Sequence, residues 1–143
     1  MRVTIPIILL SFILSACAAD LPVSMEFASY ADGKEFDFKI THDEIQRTPI
    51  WPVDVAFPPF SARKAQALAR KQMDSLVSDG RKWPLERVCL EDMGDNLHWL
   101  YIVEFGLPPS KAPGLHSVIE DRFRIVVLMD GTVIKPVITS HPL

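Results

Sequence analysis

Cys17, Cys89 and the four histidines, His42, His98, His116 and His141, are the side chains of this sequence best suited to nucleophilic or metal chemistry. Zinc wants three or four such ligands, commonly at a spacing like His-x-x-x-His, and no pair of these histidines has it. His42-Asp43-Glu44 offers an imidazole and two carboxylates in a row. Consecutive strand residues point to opposite faces, however, and a solvated polar turn explains the trio. His98 and Glu104 share one face of an expected strand, but six residues at ~3.3 Å each separate them by about 20 Å, too far for an acid–base dyad. Cys89, within Arg87-Val88-Cys89-Leu90, has no adjacent base or helix N-terminus to activate it and reads as a small buried hydrophobe. Ser61 and Ser110 lack the Gly-x-Ser-x-Gly elbow, and no glycine-rich phosphate loop occurs. The expectation is a protein that is not an enzyme, with no catalytic, cofactor-binding or metal site.

Cys17 stands apart because of what precedes it. Arg2 supplies a positive start, Val3 to Leu14 an apolar run, and Ser15 and Ala16 the small residues of a cleavage site. That run is too short for a transmembrane helix, which needs about 20 residues, and Pro6 weakens it as a helix. Leu14-Ser15-Ala16-Cys17 resembles the lipobox of bacterial lipoproteins, where the cysteine sulfur is diacylated and the chain is cut just before it. The resemblance implies a signal peptide over 1–16, Cys17 as the lipidated first residue, and a palmitate-type anchor. By resemblance to the sorting rule of enteric bacterial lipoproteins, Ala18 in place of an aspartate implies the outer membrane, facing the periplasm. The competing possibility is an ordinary secretory signal cut at Ala16 to Ala18, or after Ala19, releasing a free periplasmic protein.

Lys and Arg number 15 against 18 Asp and Glu, and removing residues 1–16 takes only Arg2 from either count. A mildly acidic chain without a basic stripe argues against a nucleic-acid partner. Its length suits a single domain.

The elements that position these residues follow from pattern. Residues 17–34 read as a tether ending in an Asp32-Gly33 turn, and 35–143 as one domain. Phe36, Phe38 and Ile40 alternate with polar residues as a half-buried strand. His42 to Ile45 either extends it or forms a helical turn capped by Thr41 with Glu44. Pro49, Pro52, Pro58 and Pro59 make 48–60 extended and irregular. Trp51, Val53, Val55 and Phe57 alternate within it, which fits a proline-bracketed strand or a segment draped over the domain with its aromatics turned inward.

Ser61 is an N-cap for one long helix, with Ala62, Ala65, Leu68, Ala69, Met73, Leu76 and Val77 at helical steps and Gly80 as its stop. Strands follow at Trp83 to Glu91, with a bulge near Glu86-Arg87, at Leu97 to Phe105, and at Arg122 to Met129. Asp130-Gly131 reads as a two-residue hairpin turn, which pairs Met129 with Thr132, Val127 with Ile134 and Phe123 with Ile138. The chain then runs back as a strand over Thr132 to Ile138, which Pro136 marks as an edge. The stretch from Gly106 to Asp121 is a loop of unusual length.

One sheet face then carries Trp99, Tyr101, Val103 and Phe105 beneath the helix. The other carries Leu100, Ile102, Val126 and Leu128. It is covered by the N-terminal segments or left as a patch for a partner. The fold class expected is α+β, one long helix on a four- to five-stranded antiparallel sheet. Trp83, Trp99 and Tyr101 could form a stacking platform, but alternation with core valines favours packing.

The helix opened by Ser61, then Trp83-x-Leu85, Trp99-x-Tyr101-x-Val103-x-Phe105 and Val127-Leu128-Met129-Asp130-Gly131-Thr132-Val133, resembles PepSY-like domains of bacterial envelope proteins over roughly Ser61 to Val137. Cystatin-like rolls share the layout. The resemblance implies a non-catalytic binding or inhibitory module; with the lipid anchor implied by the lipobox, its protein or peptide partner would be met through the 106–121 loop or the second face. A structural or assembly accessory of the envelope is the alternative function. A small hydrolase is a lesser one and would need a cleft joining His98 or His42 to a carboxylate.

Overall fold

The computed structural model describes residues 23–107 and 122–140. The signal read over 1–16, Cys17, most of the 106–121 loop with Ser110 and His116, and His141 lie outside the described residues.

Strand β1 (Val23–Ala31) and strand β2 (Lys34–Thr41) form an antiparallel hairpin. It closes through Asp32 and Gly33 at φ 52° and 70°, the left-handed pair that matches strand twist in a two-residue turn. The expected turn is therefore present, but the tether expected over 17–34 is corrected from residue 23 onward. Alternation in β1 is masked because its inward positions include Ser29, which is buried, while Tyr30 points outward. Of the two alternatives for His42 onward, the chain takes the helical turn, α1 (His42–Gln46). There the Glu44 N–H donates to Thr41 Oγ1 at 3.3 Å and the Thr41 N–H to Glu44 Oε2 at 2.8 Å.

Helix α2 (Ala62–Leu76) starts where Ser61 Oγ accepts the Lys64 N–H and buries Ala65, Ala69 and Met73, a stripe whose small residues permit close approach. The left-handed residue after it is Asp79, at φ 61°. Gly80 serves another purpose: a Cβ there would lie 2.6 Å from the Met73 carbonyl oxygen. A 3₁₀ turn over Gly80–Lys82 leads to β3 (Leu85–Asp92), β4 (Trp99–Gly106) and β5 (Arg122–Leu128), an antiparallel meander in the order β3-β4-β5. The register shifts between Leu85 and Arg87, where a bulge was expected. Gly106 faces that bulge, since a Cβ there would run into the Glu86 side chain.

The final hairpin departs from expectation by one residue. The Leu128 N–H donates to Thr132 O, the Gly131 N–H to Leu128 O and the Ile134 N–H to Val126 O, and Val127 bridges Val133. The loop is thus three residues, Met129 to Gly131, with Gly131 at φ 88°, and such a slip turns every following side chain to the opposite face. Pairing stops before Pro136, which has no N–H to give. The chain then crosses over and forms β6 (Val137–Ser140) against β2, with Ile138 opposite Phe36 rather than Phe123. β6 is an edge strand, as Pro136 suggested, but of the other sheet.

These two differences overturn the expected fold class. The described residues are mostly β, six strands in two three-stranded antiparallel sheets ordered β1-β2-β6 and β3-β4-β5, with one long helix and one short one. A single four- to five-stranded sheet beneath the helix is not present. Phe123 joins the two sheets, meeting Phe36, Phe38 and Trp83 edge-on at 5.0, 6.1 and 6.2 Å, a geometry favoured by ring quadrupoles. The Arg124 N–H donates to Ser29 Oγ at 3.1 Å, and the Arg124 guanidinium lies over the Phe27 ring. Leu100, Val126 and Leu128 are buried, so the second face is closed rather than an open apolar patch.

Candidate functional site

The polar residues singled out in the sequence are occupied by structural work. His98 is buried and its Nδ1 is 2.5 Å from Asp95 Oδ2, while Asp95 Oδ1 accepts the N–H groups of Leu97 and His98. Hydrogen bonds to the His98 backbone N–H, then to its ring, then to the Leu97 N–H lower the Asp95 pKa to about 2, because each stabilises the ionised form. The signal for this pair was local: an aspartate three residues before a histidine in a turn, where Asx side chains take backbone N–H groups.

Glu104, also buried, does not approach His98. Its Oε2 accepts from Arg87 Nε at 3.1 Å and Nη2 at 2.8 Å and lies 3.7 Å from Arg122 Nη1, and Arg122 Nε pairs with Glu86 at 3.1 Å. Hydrogen bonding to Glu104, then its charge, raises the Arg87 pKa. Glu44 is held by the α1 cap, and His42 and Asp43 lie on that helix. Cys89 is a free, half-buried thiol opposite Ile102. Among the described residues no group of three or more His, Cys, Asp or Glu could hold a metal ion.

Trp83 and Tyr101 are core residues, 1% and 2% exposed, and the Tyr101 hydroxyl donates to the Phe60 carbonyl at 2.7 Å. They cannot form a stacking platform. Burial raises the Tyr101 pKa. Trp99 instead meets Trp51 edge-on at 5.4 Å, and the two line a hollow of about 230 Å³ with Pro52, Val53 and Asn96.

Of the aromatics in the 48–60 segment expected to turn inward, Trp51 is half-buried against Trp99, but Phe57 faces outward with Val53 and Val55. The Trp51 N–H donates to Leu97 O at 2.8 Å, and Trp51 Nε1 donates to Val55 O at 2.7 Å. The Val55 N–H donates to Pro52 O at 3.0 Å, folding Pro52 to Val55 into a turn. Val53 at its tip is 99% exposed and Phe57 82%, and Ile50, Val55 and Leu97 are exposed beside them. The four prolines were the available sign that this alternation is not a strand.

The surroundings of this segment define one end of the domain. Ser24, next to the start of β1, lines a hollow with His42, Ile45, Gln46, Met93, Gly94 and Asp95. The adjoining Asn96 and Leu97 contact the 50–57 segment. Phe60, just before α2, packs against Gly131 and accepts from Tyr101, which brings the start of α2 to this end as well. The opposite end holds the Asp32 turn, whose carboxylate accepts the Ser78 N–H beyond the end of α2 at 2.7 Å.

Arg63 and Lys64 occupy the first turn of α2, which has no acidic residue, and the last turn has no basic one. Cations at a helix N-terminus oppose the macrodipole by about 0.3–1 kcal/mol each. Helix stability does not account for this placement. No family model, curated protein or solved structure matches this chain.

Proposed function

We propose that this chain is a non-catalytic binding or inhibitory module of the bacterial envelope, anchored by lipid on Cys17, held at the outer membrane and facing the periplasm, with an extended protein or peptide segment as its partner. The observation that carries the partner class is β6. Val137-Ile138-Thr139-Ser140 is uncharged and exposed along its length, and it pairs only on its β2 side among the described residues. Natural sheets shield such edges with charges, bulges or covering elements. An open, uncharged edge suits strand addition, in which main-chain hydrogen bonds supply affinity and alternate side chains supply selectivity. The commitment of His98 to Asp95 and of Glu104 to two arginines supports a non-catalytic role.

The anchoring part rests on the lipobox-like Leu14-Ser15-Ala16-Cys17. No described helix is long and apolar enough to cross a membrane. Two or more acyl chains hold a protein stably at a bilayer, whereas one does so only marginally.

The test is affinity capture from crosslinked envelopes, comparing the native chain with a Val137→Lys/Ile138→Lys variant. A specific envelope protein recovered with the first and lost with the second, at unchanged circular dichroism, is the expected result. Equal recovery with both removes the β6 edge as the contact.

A further inference from the structure

We propose that the end of the domain carrying Val53, Val55, Phe57 and Leu97 seats on the phospholipid surface of the membrane that holds the anchor, so that the module is oriented as well as tethered. This rests on the anchoring reading for one of its supports, the length of the leash. From Cys17 to Val23, where β1 begins, there are six residue steps. At no more than about 3.6 Å each, they span about 20 Å. A domain on so short a leash presents to the bilayer the end at which the leash arrives, and Ser24 places that arrival beside the Met93 to Asp95 turn.

The same end displays the exposed apolar residues. Val53 stands at the tip of a turn closed by its own hydrogen bond, and Trp51 is fastened beneath it at both the backbone and the ring. A hydrophobe held out on a rigid tip loses little freedom on contact, and a neighbouring tryptophan suits the head-group zone. Asp54 shares the tip, which limits the depth to that zone rather than the hydrocarbon.

Charge agrees. Arg63 and Lys64 sit at this end against the helix dipole and are exposed, and lipid phosphates give them anionic partners. β6 runs the other way, from the level of Asp37 toward Lys34 and the Asp32 turn. Seating therefore leaves β6 at the end away from the membrane.

The experiment uses the full acylated protein in vesicles of phosphatidylethanolamine and phosphatidylglycerol carrying brominated acyl chains, with palmitate labelling run in parallel. Tryptophan fluorescence is expected to be quenched, with Trp51→Phe removing most of the effect. Val53→Asp/Phe57→Asp should weaken quenching roughly threefold or more at unchanged label and circular dichroism. Arg63→Glu/Lys64→Glu should weaken it only when phosphatidylglycerol is present. Undiminished quenching in the Val53/Phe57 variant overturns the proposal. So does a variant that turns a dimer into a monomer in sedimentation while quenching is kept, which assigns the surface to a second copy. A chain that carries no palmitate yet still binds the vesicles through these residues removes the anchoring reading and supports the seating.

Discussion

The carboxylate of Asp95 grips His98 twice, through the backbone N–H at 2.7 Å and through the imidazole Nδ1. One side chain thereby holds the β3–β4 turn whose far side, Leu97, anchors Trp51. The Asp95 pKa is depressed to about 2 from an ordinary 3.8. The ionised form is therefore the one the fold favours, and its contribution is complete above about pH 5 and lost as the pH falls through 2. Urea midpoints should drop across that window, and Asp95→Asn should flatten the dependence there. Because the group is partly exposed, the whole effect of Asp95→Ala at neutral pH is expected to be about 1 kcal/mol.

Glu104 is the buried member of its charge network, with its side chain 9% exposed against 55% for Arg87. Removing Arg87 strands a carboxylate, whereas removing Glu104 frees arginines that can rehydrate. Arg87→Ala should destabilise the fold more than Arg122→Ala, whose contact with Glu104 is 3.7 Å against 2.8 Å. Chemical denaturation of the two single variants measures the order, and the reverse order would count against the geometry.

Gly80→Ala should be the harshest of the glycine substitutions. The added methyl meets the Met73 carbonyl and the Asp74 Cα, at 2.6 and 2.9 Å, and a helix backbone cannot move aside cheaply. A loss of about 2–3 kcal/mol is expected. Gly33→Ala has open space and only its positive φ to contend with, for about 1 kcal/mol. Thermal unfolding of both variants compares the two costs.

Ser29→Ala should leave the Arg124 backbone N–H without its acceptor at the seam between the sheets. The bond is part-buried, so leaving its donor unpaired should cost about 1 kcal/mol. Native-state hydrogen exchange should show the Arg124 amide opening faster, while amides in the middle of β4 follow only the global change.

The parts of the fold legible in the sequence are those decided within a few residues. Asp32-Gly33 can adopt its turn alone, Ser61 caps α2 by its own side chain, the parity break at Glu86 announces a bulge, and β4 alternates without interruption. The rest was decided at a distance. Ser29 faces inward because a β5 amide needs an acceptor there, which conceals β1. Asp130-Gly131 is compatible with a two-residue turn or a three-residue loop, and only the choice of partner strands selects the second. Val53 and Phe57 have the composition of core residues. Their exposure depends on a hydrogen bond from Val55 to Pro52 and on Leu97 accepting from Trp51, neither of which is written in periodicity.

The sheet built from β1, β2 and β6 draws its first two strands from near the front of the chain and its last from near the end. During synthesis, the early hairpin must wait for Val137–Ser140 before the open side of β2 is paired. Contacts of such long sequence separation form slowly, and the waiting β2 edge is a site for mispairing with other chains. The β1–β2 hairpin is thus the part of the fold most open to wrong partners before β6 closes its β2 side.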